Sequence, residues 1–337
     1  MIIIFALLNP FSLILIINFV VFTTYEIYSL PFLALISPAI ILAVGYMIYL
    51  KKFLTLYSRD SIKRSMKLDT ILWRLYGYLI CLIGLSELLY FGVPLLGQVR
   101  YIDFGFTILH HIAVTTWLLV FINFKYKLVN LASVIFAVIF PLLIFNRDVF
   151  LLTLCCLLFK GLIHQKLNIR HLMYASVLFI GLFGYVGKIR SGNMQALLDL
   201  PTKFDLASLD IMSFWLFTYV TSPMFNIHYS FDSGERIRYE PLLTVFPEFY
   251  KLIELFSYLG FYIYLLFGLL LTLLPALLRF PGWLCFSFFF YYQFTMGCVF
   301  SNKLGNTHTI YVILIFITMM VFRQMFSRRI NKEASCG

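Results

Sequence analysis

Charge is scarce in this chain. Only 12% of its 337 residues are Asp, Glu, Lys or Arg, with 15 acids in all, whereas an ordinary soluble domain is about 25% charged. The Ala, Val, Ile, Leu, Met, Phe, Trp, Tyr and Cys set makes up 62%, more apolar surface than a water-soluble globule of this size hides. A soluble enzyme, a secreted disulfide scaffold and a disordered chain are thereby excluded. Paired cysteines are also lacking. Cys81, Cys155, Cys156, Cys285, Cys298 and Cys336 include no C-x-x-C, and five of them lie in apolar runs. They read as small hydrophobic packing residues, with no disulfide framework. The histidines form no H-E-x-x-H or comparable spacing, so no metal site is expected. No basic n-region precedes the first apolar run and no clear small-residue cleavage site follows it, so that run is expected to be retained rather than removed as a signal peptide. Internal repeats, low-complexity tracts and a soluble domain are absent. Weak alternating segments are absent too, which argues against an outer-membrane barrel.

What the chain has is long apolar runs. A membrane span needs about 20 mostly apolar residues, and about ten such segments are legible: 3–23, 31–50, 71–92, 106–124, 128–145, 149–163, 171–187, 252–278, 281–300 and 308–324. The expected fold is an all-α polytopic membrane protein, a single transmembrane domain over 1–337. The loops at 51–69, 125–127, 160–170, 279 and 323–333 hold most of the 26 basic residues, against only Asp60, Asp69 and Glu333 of the acids. With ten spans these loops all fall on one side, which the positive-inside rule makes cytoplasmic, together with both termini. The net charge of +11 is then a topology signal, and no nucleic-acid partner follows from it. The one large extramembrane region is 188–251, on the opposite, outer face. Within it, residues 211–231 (IMSFWLFTYVTSPMFNIHYSF) carry no formal charge and are long enough to span. A span there would turn the basic tail outward, and Pro223, Ser222 and Asn226 interrupt the run. An interfacial or re-entrant segment fits better.

The polar residues at the outer boundary are the candidates for chemistry. Arg147, in Asn146-Arg147-Asp148, sits between two apolar runs, and a charge is costly at bilayer depth. It reads either as part of a hairpin turn paired with Asp148 or as a cation for an anionic substrate. Lys188 and Arg190 both read as snorkelling to the headgroups; Lys188 fits that reading well, whereas Arg190, between Gly187 and Gly192, fits a phosphate contact somewhat better. Arg236 and Arg238, beside Glu240, read first as an exposed, salt-bridged loop. Arginine suits phosphate because its planar fork donates two parallel hydrogen bonds and stays charged. His110, His111 and His228 lie at the same boundary, and each is a candidate general base as well as an ordinary hydrogen-bonding residue. The outer acids Asp103, Asp199, Asp205, Asp210, Glu240 and Glu248 compete for that role. Trp215, Tyr219 and Tyr229 are possible sugar-stacking rings among many interfacial aromatics.

Several of these segments resemble one family. Phe91-Gly92-Val93-Pro94-Leu95-Leu96, then Tyr101-Ile102-Asp103-Phe104-Gly105-Phe106 and His110-His111, resembles the G-x-P … Y … F-G … H loop of Wzy-type O-antigen polymerases. Asn146-Arg147-Asp148 resembles the arginine at the outer end of a helix in that family. Gly184-Tyr185-Val186-Gly187-Lys188-Ile189-Arg190-Ser191-Gly192 is similar to its G-x-x-R-S-G stretch. Residues 215–226 are similar to its W-x-Y-x-Y-x-x-S-P-x-x-N segment, with Phe217 where a Tyr is common. The resemblance covers roughly residues 85–230.

The resemblance implies an oligosaccharide repeat unit polymerase of the bacterial inner membrane, GT-C-like in fold, needing no cofactor, metal or nucleotide sugar. Its donor and acceptor are undecaprenyl-pyrophosphate-linked oligosaccharides at the periplasmic face, and a chain-length regulator protein is an expected partner beside the membrane lipid. Arg147 and Arg190 would then stabilise the pyrophosphate leaving group. His110, His111 or His228 would take the acceptor proton. Asp103, Tyr219, Asn226, Arg236, Arg238 and Glu240 are candidate substrate-binding residues. The rival readings are an O-antigen ligase using the same donor, a flippase or transporter, and a membrane acyltransferase. A transporter needs polar groups through the midplane. With Lys160 and Arg323 counted in the cytoplasmic loops, only Arg74, Glu87 and Glu254 fall within spans, the first two near the ends of theirs, which favours a one-sided enzyme.

Overall fold

The structure, a computed structural model, describes residues 71–100, 103–122, 128–163, 249–256, 258–278, 282–298 and 306–335, with Ile16, Tyr174, Val177, Gly181 and Lys303 singly. Every regular element among them is helical, so the described protein is all-α. The elements are α1 (Ile71–Phe91), a 3-10 turn (Pro94–Leu96), α2 (Thr107–Ala113), a 3-10 turn (Val114–Thr116), α3 (Trp117–Ile122), α4 (Leu128–Leu143), α5 (Arg147–Ile163), α6 (Tyr250–Phe256), α7 (Tyr258–Leu277), α8 (Trp283–Gly297) and α9 (Thr307–Ser335). They coincide with the apolar runs expected at 71–92, 106–124, 128–145, 149–163, 252–278, 281–300 and 308–324. The runs at 3–23, 31–50 and 171–187, and the 188–248 part of the expected loop with its 211–231 segment, lie outside the described residues apart from the single positions named. Among the described residues one stretch, Trp73–Leu96, is long and apolar enough to cross a membrane. Shorter apolar helices run over Thr107–Ile122, Leu131–Leu143, Leu259–Pro275 and Thr307–Phe322.

The chain divides into two compact units. The first comprises Met1–Ser61, Gly161–Leu270 and Tyr291–Lys303; the second comprises Ile62–Lys160, Leu271–Phe290 and Leu304–Gly337. In the first unit, Gly260 of α7 lies so close to the Leu252 carbonyl of α6 that no Cβ fits between them. Phe249 packs against Phe261 and Tyr264. The Tyr264 ring stacks on Phe294, and its hydroxyl donates to the Phe294 carbonyl at 3.0 Å.

In the second unit α1 packs against α2, α3 and α4, and α9 packs against α2. The inner stripe of α1 is Trp73, Gly77, Ile80, Ile83, Gly84 and Glu87, the three-and-four spacing of one helix face. Gly84 admits the rings of Phe136 and Phe140 from α4. The outer stripe is Leu75, Tyr78, Leu79, Leu82, Leu85, Leu89 and Tyr90, all exposed. Thus the one carboxylate of α1 faces inward and its exposed face is apolar apart from Arg74 in the first turn and Ser86, the reverse of a helix on a water-soluble globule. The same kind of exposed row recurs at Leu131, Ile135 and Ile139 on α4, and at Ile310, Leu314, Ile317 and Val321 on α9. The interior is aromatic: Trp117 stacks on Phe289 at 4.8 Å and Phe159 on Phe288 at 4.4 Å.

Candidate functional site

The end of α1, the start of α2 and the start of α9 meet at one end of the second unit. The 3-10 turn after α1 packs on α4, and α2 packs on α9. The segment between α1 and α2 is built by a few residues with distinct tasks. Gly92 takes φ +82 and Gly97 φ +73, conformations that a Cβ disfavours. The Gln98 carboxamide folds back so that its Oε1 accepts the Val93 amide at 2.6 Å. Pro94 opens the 3-10 turn and is buried. Phe91 packs against Phe104 and Phe106 at 5.7 and 5.0 Å. Asp103 is exposed on this segment.

The chain then tightens. Phe106 has φ −82 and ψ 74, and the Thr107 amide donates to the Gly105 carbonyl at 3.1 Å, an inverse γ-turn. Thr107 follows with φ +27, a strained position for a β-branched residue. From there α2 begins, with the Leu109 and His110 amides both donating to the Phe106 carbonyl.

Glu87 closes this turn. Its side chain is fully buried, and a buried charged group is costly unless paired and hydrogen-bonded. Both oxygens are engaged: Oε1 accepts the Phe106 amide at 2.9 Å and Oε2 lies 3.0 Å from His110 Nδ1. The His110 ring meets the edge of buried Phe104 at 5.7 Å. Gly105, at φ +104, lies under the ring, where an added Cβ would stand 2.6 Å from the imidazole. The imidazole is thus held by a carboxylate, an aromatic edge and bare backbone. His110 remains 17% exposed at its side chain, and no hydrogen bond reaches its Nε2 among the described residues. His111 is held differently. Its ring stacks on Tyr311 of α9 at 4.6 Å and 17°.

Arg147 stands at the first position of α5, and the preceding turn explains how. The Asn146 amide donates to the Pro141 carbonyl at 2.8 Å and the Phe145 amide to Leu142 at 3.1 Å, with Phe145 at φ +55. This is a Schellman ending of α4, with Phe in the place that glycine usually takes. Asn146 then caps α5, its Oδ1 accepting the Val149 amide at 3.1 Å. Asp148 supplies the acid in the first turn. A cation at a helix N-terminus opposes the helix dipole, so the dipole does not favour Arg147 at this position. The hairpin-turn expectation holds for the backbone, with Asn146 as the residue that makes it.

Of the sequence candidates, the structure brings His110 and His111 together and puts Asp103 on the segment beside them. Arg147 opens α5, which follows α4, the helix on which that segment's 3-10 turn packs. Arg190, His228, Tyr219, Asn226, Arg236, Arg238 and Glu240 lie outside the described residues. The residue that sequence reasoning passed over is Glu87. An ionisable side chain within an apolar span faces the interior and has a partner; that rule was the available signal. Among the described residues no group of three or more His, Cys, Asp or Glu side chains is arranged to hold a metal ion. Comparison with protein-family models, with curated proteins and with solved structures finds no match for this chain.

Proposed function

We propose that this protein is a polytopic membrane glycosyltransferase of the O-antigen polymerase type, with both termini cytoplasmic and its site on the periplasmic face of a bacterial inner membrane. The observation that carries the reading is the end of the second unit. There the segment resembling the polymerase loop closes on His110, which a buried carboxylate holds, at the end of a unit whose helices turn leucine and isoleucine outward. Lipid accepts such a surface and water does not. A one-sided polar site in an apolar body suits a donor and an acceptor that are both lipid-linked.

In the proposed reaction the hydroxyl at the non-reducing end of an incoming repeat unit attacks C1 of the growing chain. The bond from C1 to the pyrophosphate oxygen breaks, and undecaprenyl pyrophosphate leaves with the electron pair. Arg147 and Arg190 stabilise the charge that develops on that oxygen. Asp103, Tyr219, Asn226, Arg236, Arg238 and Glu240 are the proposed sugar contacts, and His110, His111 and His228 the proposed bases. A chain-length regulator is the proposed protein partner.

The test is the lipopolysaccharide banding of a deletion strain. Loss of the ladder with single repeat units left on the core is the expected result; loss of every repeat unit would make the protein a ligase instead. Complementation with Arg147→Ala or Arg190→Ala, inserted at normal levels, is expected to leave the single-unit pattern. A full ladder from both variants would remove both arginines from the mechanism.

A further inference from the structure

We infer that Glu87 is the positioning residue that makes His110 the proton acceptor of the transfer, holding the imidazole by Nδ1 and presenting Nε2 to the acceptor hydroxyl. The identity of that hydroxyl rests on the polymerase reading; the pairing of the two side chains does not.

The geometry separates this role from plain packing. The Phe106 amide requires only one acceptor, and a neutral side chain would supply it at a smaller desolvation penalty than a carboxylate. Glu87 supplies a second oxygen, and that oxygen faces a ring nitrogen at 3.0 Å. With Oε1 already receiving an N–H, the matching partner for Oε2 is another N–H, which puts the imidazole proton on Nδ1. The lone pair is then on Nε2. A carboxylate fixes the tautomer and orientation of catalytic and metal-bound histidines by this means. The surroundings hold the ring still, with Gly105 beneath it and the Phe104 edge beside it. Glu87 is near both rings, but the ring hydrogen bond it makes is to His110, while His111 is stacked on Tyr311, so the choice between the adjacent histidines falls on His110. In the step, the acceptor O–H proton moves to Nε2, the oxygen forms its bond to C1, and pyrophosphate departs with its electrons. The imidazolium so formed, steadied by Glu87, releases the proton to water.

The test combines a spectroscopic and a kinetic reading on the full-length chain. Histidine labelled with nitrogen-15 in the detergent-solubilised protein reports the His110 tautomer. Polymer formation is followed in membranes of the complemented deletion strain, with their own lipid-linked repeat units as substrate. The wild type is expected to carry the proton on Nδ1. In Glu87→Gln the amide still accepts from Phe106 while its NH2 donates to Nδ1, so the proton should shift to Nε2. Polymerisation should then fall roughly a hundredfold to ten-thousandfold, the usual worth of general base catalysis. Glu87→Asp should recover part of the rate. His110→Gln should lose as much as Glu87→Gln, and the double variant no more than either, as for residues acting as one unit. Wild-type rates from Glu87→Gln, or an Nε2–H tautomer in the wild type, would overturn the inference. A wild type that forms no polymer would defeat the polymerase reading alone, and the tautomer spectrum would then decide the pairing by itself.

Discussion

Gly105 shows how closely the candidate site depends on single side chains, here on the absence of one. Its φ of +104 and its place under the His110 ring leave no room for a methyl group. Gly105→Ala is expected to destabilise the segment by about 1–3 kcal/mol, the range for backbone forced into a sparsely populated region, and to push His110 away from Glu87. The proposed activity should fall even where the variant accumulates normally, and the His110 tautomer signal should broaden or shift. Only part of this was legible in the sequence. Phe104, Gly105 and His110 stood out as a pattern, but nothing in their spacing said that the glycine serves the histidine. Glu87 was visible as a charge in an apolar run, yet its partner lies 23 residues away, a separation that no local pattern encodes.

Helices were legible where apolar runs are long, because a run of that length has few other ways to satisfy its backbone. Their breaks were not. The run at 106–124 reads as one helix, whereas the structure divides it at Val114–Thr116, with Thr115 at φ −78 and ψ 21. The cause is a single hydroxyl. Thr115 Oγ1 donates to the Ile112 carbonyl at 2.6 Å and lies 3.0 Å from the Tyr76 hydroxyl of α1, the side-chain competition that bends helices. The faces of α1 were illegible for another reason: both are apolar, so periodicity cannot tell inner from outer. The turn at 144–146 is the most local of these features, and it makes a clean prediction. Asn146→Ala removes the bond to the Val149 amide and should lower stability by about 1 kcal/mol, read as a lower unfolding midpoint in detergent. Asn146→Asp should keep it.

For the molecule as a whole, the sequence carried the all-helical class and the positions of the described helices; orientation in a bilayer belongs to the proposed topology and has its own test. Single cysteines at Gln98 and Asn146, in a chain otherwise free of accessible thiols, are expected to react with a membrane-impermeant maleimide in intact spheroplasts, and a cysteine at Lys125 only after lysis. The reverse pattern would turn the proposed map inside out. Leu82→Arg, in the middle of the exposed row of α1, should impair insertion, since a central arginine costs roughly 2.5–3.5 kcal/mol on insertion scales. The last helix has a consequence of a mechanical kind. α9 runs for 29 residues from Thr307 to Ser335, about 43 Å at the usual rise, while its apolar part ends at Phe322. One stiff rod therefore bears Tyr311, and with it the His111 stack, at one tip and the basic Arg328, Arg329 and Lys332 at the other. A tug or twist applied to the charged tip would reach His111 along one continuous helix.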